Sequence, residues 1–282
     1  MPAFVNPTHA PLPTELASQG CFETMRAYGG RIFRLDQHLD RLDASARYLG
    51  VKVPRDRARL DVALVRALKA SGLREAVVRV AWMTRPAHSS RPLGFGQLEA
   101  FPSIVVQPIQ PPPAAAYRRG IRVAIVPTRK FSVGAIDPQA KYSARLSSVL
   151  ATLEAAVRGA DEAVFLDPWG SVTESTASNF CLVKRGTLIT PPCWLGLLQG
   201  VTREVIGELA RELQIPLSET PLTRHEVYVA DEAFLSSTTK EVLPVTRVDG
   251  RMIGTGAPGP VTARLHRAFR RLVARELGHA DH

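Results

Sequence analysis

The chain is poor in cysteine. Three thiols, Cys21, Cys181 and Cys193, occur in 282 residues, with no CxxC pair and no His/Cys grouping at zinc spacing. That argues against a disulfide framework and a metal module, and reduced thiols point to a cytoplasmic protein. Aromatics are scarce at 6% of residues, and none interleave with basic residues as a base-stacking surface requires. No run of about 18 apolar residues occurs, so no membrane-spanning helix is expected. The opening "MPAFVNPTHAPLPTE" has no basic start followed by an apolar run, so it does not read as a secretory signal. Acidic side chains are the scarcer charge, 26 against 36 Lys and Arg, which leaves a formal net charge of +10. Acidic residues interrupt the basic ones in "RLDASARYLGVKVPRDRARLDVALVRALK". The excess charge is therefore not gathered into a nucleic-acid stripe, and an anionic small molecule accounts for it equally well. Neither a nucleic acid nor a membrane is an expected partner.

What is present suffices for a sizeable core. Apolar residues make up 45% of the chain, enough for one large domain or two smaller ones. Strand-like and helix-like stretches alternate, which reads as a mixed α/β (α+β) class. "CFETMRAYGGRIFRL" is two strands joined by a Gly-Gly turn. "DQHLDRLDASARYLG" places Leu39, Leu42, Ala46 and Leu49 at helical spacing, with Asp36 as N-cap and Gly50 as stop. In "QPIQPPPAAAYRRG", Pro108, Pro111, Pro112 and Pro113 exclude a helix or a central strand and mark a stiff, extended linker. The expected organisation is an N-terminal α/β domain over 1–107, a Pro-rich linker over 108–120 and a C-terminal domain over 121–282. In the C-terminal part the spacing predicts a helix over 141–158, with Leu146, Val149, Leu150, Leu153 and Val157 on one stripe. It predicts another in "GVTREVIGELARELQ", with Val205, Ile206, Leu209 and Leu213 inward.

The chemistry starts from "DPQAKYSARLSS". A lysine at a helix start, with Arg145 one turn on, sits in positive potential that disfavours its ammonium form. A neutral amine is a nucleophile able to form a Schiff base with an aldehyde; a solvated Lys141 is the plainer alternative. In "LLQGVTRE", Val201 and Thr202 stand where a loop enters a helix, suited to a phosphate or, more simply, to a cap. "LSSTTKE" offers Ser236, Ser237, Thr238 and Thr239 in a second candidate anion turn, or merely a polar one. Glu174 in "TESTASN" lies among small residues that leave room for a flat ligand, and Arg41 in "HLDRL" is a phosphate ligand or a solvated charge. An amine for an aldehyde, a carboxylate for a pyridine nitrogen, and an arginine with anion turns for a phosphate together fit pyridoxal 5'-phosphate (PLP).

These segments stand in the order of a known family. From about Gly20 to the C-terminal helix the chain resembles the class IV (fold-type IV) PLP-dependent aminotransferases. The resemblance lies in "GCFETMRAYGGRIFRLDQHLDRL", "AKYSARLSSVLATLEAAVRGADEAVFLDPWGSVTESTASNF", "TPPCWLGLLQGVTREVI" and "ADEAFLSSTTKEVLPVTRVDGRMIGTGAPGP". It implies two domains with the cofactor at their interface, and a homodimer. It assigns Lys141 to the Schiff base, Glu174 to the pyridine nitrogen, and Arg41, Val201, Thr202 and Thr238 to the phosphate. Leu198 packs on the cofactor ring, and the Thr239 N–H serves the substrate carboxylate, for which Arg26, Arg79 and Arg91 are further candidates. The implied activity is transamination between a small amino acid, first of all a branched-chain L-amino acid, and a 2-oxo acid. Leu146, five residues past the lysine, stands where branched-chain enzymes carry a tyrosine. Arg145 and Leu146 resemble aminodeoxychorismate lyase, which yields 4-aminobenzoate and pyruvate. "SSTTKEVLPV" resembles D-amino-acid enzymes. The alternatives are therefore that lyase and a D-amino-acid or (R)-amine transaminase.

Overall fold

A computed structural model describes residues 20–53, 57–86 and 98–278. These form two compact units. One comprises the residues up to Ile109 together with Ala140–Ala144, and the other comprises Gln110–Gln139 with Arg145 onward.

The first unit is an antiparallel sheet with two helices on one face. Strands β1 (Gly20–Tyr28), β2 (Arg31–Ile32), β3 (Ala76–Pro86) and β4 (Leu98–Pro108) lie in the order β2-β1-β3-β4. Gly29 and Gly30, at φ 56° and 86°, make the tight β1–β2 turn that a Cβ would strain. Side chains alternate along β1. Cys21, Met25 and Ala27 pack on Leu39, Leu42 and Ala46 of helix α1 (Leu35–Tyr48), and on Leu60, Leu64 and Leu68 of helix α2 (Arg57–Ser71). The α1 N-cap is Arg34, in the left-handed region and without a side-chain cap; Asp36 sits in the first turn, not at the cap.

The second unit is a nine-stranded sheet. Its strands are β5 (Ile121–Arg129), β6 (Glu162–Leu166), β7 (Val172–Ser175), β8 (Asn179–Lys184), β9 (Thr187–Thr190), β10 (Leu217–Glu219), β11 (Glu232–Ser237), β12 (Glu241–Val248) and β13 (Arg251–Met252). The path runs β10-β9-β8-β11-β12-β5-β6-β7, and pairing of β7 back to β8 closes six strands into a ring. One face of the ring buries Val123, Ile125, Val164, Leu166, Phe180, Leu182, Leu235 and Val245 as a continuous core. The other face of β5 and β6, with Ala124, Val126, Ala163 and Phe165, carries a helix through Ala151 and Ala155.

Three expectations change here. The Pro-rich stretch is extended only through Pro113, the N-cap of a short helix α3 (Ala114–Arg119) built on three alanines and ended by Gly120. The helix expected over 141–158 is α4 (Leu146–Val157). It cannot start earlier because the backbone before it is committed to β1. Phe22 N–H donates to Lys141 O at 3.0 Å, and Ser143 N–H donates to Gly20 O at 2.9 Å. Finally, the aliphatic stripe of α4 faces outward, from Leu146 at 71% exposed to Val157 at 89%. The helices α5 (Val201–Glu212) and α7 (Pro260–Leu277) pack on β11 and β12, and α6 (Arg224–Tyr228) sends Val227 into the ring core. As expected, Val205, Ile206 and Leu209 are buried.

Two glycines test this packing from opposite sides. At Gly254, φ is +52° and a Cβ would lie 2.0 Å from Asp231 O. Gly254→Ala should cost about 2–4 kcal/mol of stability, as backbone strain and overlap add. Gly207, inside α5, has only Leu217 Cδ2 at 3.6 Å. Gly207→Ala should raise stability by up to ~1 kcal/mol. Urea unfolding of both variants measures the two signs.

Candidate active site

The first unit collects its polar residues around one buried carboxylate. On α1, His38, Arg41 and Ser45 recur at helical spacing and face β1, where Glu23 is fully buried. Arg41 grips Glu23 with two nitrogens, Nε to Oε1 at 2.6 Å and Nη2 to Oε2 at 2.9 Å. His38 Nδ1 lies 2.8 Å from Oε2. Burial alone pushes the Glu23 carboxyl up. The Arg41 charge, hydrogen bonds from His38 and Arg41, and the Lys141 charge outweigh it and hold Glu23 below the usual carboxylate range. Burial also lowers His38, despite the opposing pull of Glu23, so the ring is neutral near pH 7 and its Nδ1–H is the donor.

Lys141 belongs to this group. Its N–H donates to Ser45 Oγ at 3.0 Å, and its Nζ stands 5.2 Å from the Phe22 ring centroid. The backbone there is an edge segment bridged to β1, so the helix start invoked for lysine reactivity is absent. The Arg145 guanidinium is on the Thr176 carbonyl and Ser148 Oγ. Of the candidate carboxylate-binding arginines, Arg79 lies 4.1 Å over the same Phe22 ring. Arg26 is buried against Tyr28, 4.2 Å from its ring, and pairs with Glu75 at 3.5 Å. Arg91 lies outside the described residues.

In the second unit the candidates gather at one end of the ring. The register sets Glu174 opposite Asn179, and Asn179 opposite Ser236, in one row across β7, β8 and β11. Glu174 is buried and held on both oxygens. Lys130 Nζ meets Oε1 at 2.5 Å, while Asn179 Nδ2 and the Leu198 N–H reach Oε2 at 3.2 and 3.1 Å. Asn179 also donates to Leu198 O at 2.8 Å, which fixes the loop entering α5. Gly200 is the α5 N-cap, and a Cβ there would lie 2.1 Å from Asn179 Oδ1. Val201 and Thr202 are buried in the first turn of α5; Thr202 is inside the helix, so it is not its cap. Thr238 and Thr239 lie half-buried in the turn joining β11 to β12, next to Ser236, whose buried Oγ has no hydrogen-bond partner.

Sequence reasoning passed over Glu23, His38, Ser45, Lys130 and Asn179, whereas Ser236 was named in the candidate anion turn. Glu23 had a signal, an acid at an inward position between core-facing Cys21 and Met25. His38 and Ser45 share a helical face with Arg41. Nothing local in the sequence marks Lys130. Burial raises all three thiols, Cys21 to about 12 and Cys181 to about 11, so none is poised as a nucleophile. Among the described residues no group of three or more His, Cys, Asp or Glu is arranged to hold a metal, and no helix is long and apolar enough to cross a membrane.

Comparison with known proteins places this geometry. The family model described as amino-transferase class IV matches residues 20–248. The putative branched-chain-amino-acid aminotransferase of Methanocaldococcus jannaschii is 36% identical over 260 residues, covering 90% of this chain and 87% of that protein. The branched-chain-amino-acid aminotransferase of Pseudomonas aeruginosa is 35% identical, covering 95% and 88%. Among solved structures, the branched-chain aminotransferase of Thermoproteus uzoniensis with norvaline has a TM-score of 0.85 at 34% identity, covering 96% and 92%. The branched-chain amino acid aminotransferase of Thermobaculum terrenum in its PLP form has a TM-score of 0.86 at 28% identity, covering 95% and 89%.

The neutral His38 has a pH consequence. Its folded pKa lies below the ordinary 6.5. As pH falls through that value the unfolded chain binds a proton that the folded chain refuses, so stability drops. Glu23, with a depressed pKa, keeps its contribution until far lower pH. Trp82 is buried in the first unit, whereas Trp169 and Trp194 are exposed in the second. Unfolding followed by Trp82 fluorescence should show a loss from pH 7 to pH 5.5 that is flatter in His38→Asn. Parallel profiles for the two proteins would contradict the buried neutral imidazole.

Proposed function

The chain belongs to the class IV aminotransferase family, and from that premise we propose that it moves the amino group of a branched-chain L-amino acid to a 2-oxo acid, using PLP. The observation that carries the reading is Glu174, a buried carboxylate gripped on both oxygens in one row with the unpartnered Ser236 Oγ. The residues present fit the cofactor. Ser236 Oγ leaves a buried hydroxyl unsatisfied beside the candidate anion turn, and Gly200 lets the α5 N-terminus come against Asn179 where any side chain would overlap it.

When bound, PLP supplies an aldehyde that accepts an amine and a ring that accepts the electron pair of the substrate Cα–H bond. In the proposed roles Lys141 offers the amine that holds the aldehyde and, once displaced by substrate, moves the proton at Cα. Glu174, kept in place by Lys130, Asn179 and the Leu198 N–H, holds a proton on the pyridine nitrogen, and Leu198 packs on the ring. Arg41 presents its cation to the phosphate, with Glu23 and His38 as positioning residues. Val201 and Thr202 at the α5 N-terminus, and Thr238, complete the phosphate contacts. Thr239 and Arg79 serve the substrate carboxylate. Arg79 is favoured because it shares the Phe22 ring with Lys141.

The proposed setting is the cytoplasm, and the proposed partners are small molecules and a second copy of the chain, with no nucleic acid or membrane. The outward stripe of α4, Leu146, Val149, Leu150, Leu153 and Val157, supports a homodimer. The stripe residues themselves carry no charge, so a contact between two copies through them is apolar.

Two measurements test these readings. Absorbance of the holoenzyme should convert to a pyridoxamine-like spectrum with L-leucine but not with D-alanine or (R)-1-phenylethylamine. Pyruvate formed from aminodeoxychorismate without an added oxo acid would instead name the lyase. Lys141→Ala should abolish turnover, and Glu174→Gln should lower kcat by about 10²–10⁴. For the dimer, Leu150→Glu combined with Leu153→Glu should sediment as a monomer; an unchanged species would remove α4 from the interface.

A further inference from the structure

Lys240 stands directly after Thr239, in a turn that reads as an anion cradle. A free ammonium there would be expected to reach for the phosphate. Instead its Nζ is hydrogen-bonded to Glu162 Oε2, with the two side chains only 22% and 10% exposed. Glu162 is the first residue of β6, three strands away from β11 along the ring. Its other oxygen, Oε1, accepts from Thr176 Oγ1 at 2.5 Å. Thr176 lies two residues beyond Glu174, and its carbonyl accepts from Arg145 and, at 3.4 Å, from Ser148 Oγ. One half-buried carboxylate therefore holds two separate turns, one with each oxygen.

The turn carrying Thr238 and Thr239 is also fixed at its base. Lys240 N–H lies 3.3 Å from Ser237 Oγ, and Tyr117 Oη donates to Lys240 O at 3.0 Å. Glu241, left-handed at φ 54°, is buried and accepts from His266 at 2.9 Å and Arg270 at 2.8 Å, both on α7. Tyr117 stacks on His266 with centroids 4.9 Å apart. A non-glycine residue held in the left-handed region is strained unless its surroundings fix it there. These contacts hold the turn in one shape before any ligand arrives.

We propose that the Lys240–Glu162 pair is a positioning element that ties the turn bearing Thr238 and Thr239 to the turn following Glu174, so that both are preorganised for the cofactor and the substrate carboxylate. The inference rests on the site assignment above. Lys240 acts through Thr238 and Thr239 and contributes no direct phosphate contact. A half-buried carboxylate that loses its cation relaxes toward water, and both turns lose a fixed anchor.

The test uses Glu162→Gln, Lys240→Met, their double variant and Lys240→Arg, with Thr238→Val as reference. Titration of the apoenzyme with PLP gives the dissociation constant, and steady-state kinetics with L-leucine and 2-oxoglutarate separates KM from kcat. Each single variant should weaken PLP binding by about ten-fold and raise KM for L-leucine similarly, with kcat at saturation within about two-fold of the parent. The double variant should be no worse than either single, because both remove the same link. Lys240→Arg should stay close to the parent. The proposal is overturned by unchanged affinity and KM in the single variants, by multiplication of the two effects to about a hundred-fold, or by tighter PLP binding in Glu162→Gln. That last result would mean that Lys240, once freed, is itself a phosphate ligand. Silent single variants alongside a weakened Thr238→Val refute this inference alone. A silent Thr238→Val refutes the site assignment, and the inference with it.

Discussion

A carboxylate taken out of water must bring its hydrogen-bond donors along, and this chain meets that demand repeatedly on its strands. Glu23, Glu174, Glu232 and Glu241 are all buried. Glu23 is satisfied by Arg41 and His38, Glu174 by Lys130, Asn179 and a backbone N–H, and Glu241 by His266 and Arg270. Glu232 accepts from Val261 N–H, Thr262 N–H and Thr262 Oγ1 at 3.0, 2.7 and 2.7 Å, which places a negative charge at the start of α7. Breaking one such pair costs about 3–5 kcal/mol, because the partner is left charged and buried. The expense has a use in a protein that handles an anion. Each buried acid fixes a cation or an N–H donor at a known place, so little ordering remains to be done when a ligand arrives.

Much of this fold was legible in the sequence where the signal is local. The Gly-Gly hairpin, the β6–β7 turn at "DPWG" and the α5 stripe of Val205, Ile206 and Leu209 follow from turn chemistry and periodicity. Family likeness supplied the cofactor and the order of the candidate residues. Failures came where tertiary partners decide. Periodicity carried α4 back to Lys141, but the backbone there is spent on β1. Thr202 looked like a cap, yet Gly200 is the cap and Thr202 is enclosed by the helix start. The prolines of the linker hid the alanine run behind them. Lys130 could not be found from spacing, since it lies 44 residues from Glu174, whereas Asn179 faces Glu174 across the short β7–β8 hairpin.

Helix α4 shows why the direction of an apolar stripe cannot be read from its existence. Ala151 and Ala155, with smaller apolar side chains, face the sheet and let the helix approach β5 and β6 closely. Its leucines and valines face away. Taken alone, the periodicity marks the larger residues as the core face. The sheet surface at β5 and β6 has Val126 and Phe165 already filling it, so there is room for alanine and not for leucine. The larger residues are thus surplus to the unit's own core, as expected of a surface that is completed by another molecule.

The placement of Lys141 on an edge segment recasts how such a lysine could work. A nucleophile that is bonded, displaced and bonded again needs a root that does not move and a side chain that does. Main-chain bonds at 141 and 143, and the Ser45 hydroxyl on the Lys141 N–H, fix the root. The four-carbon stem reaches out from that root, and its charge is one of those that lower the Glu23 carboxyl. Arg41 is hydrogen-bonded to both oxygens of that carboxylate. The carboxylate that aims the arginine therefore also lies in the field of the lysine. Substituting Arg41 should then affect Lys141 chemistry as well as anion binding, because it leaves Lys141 as the remaining named positive charge acting on Glu23.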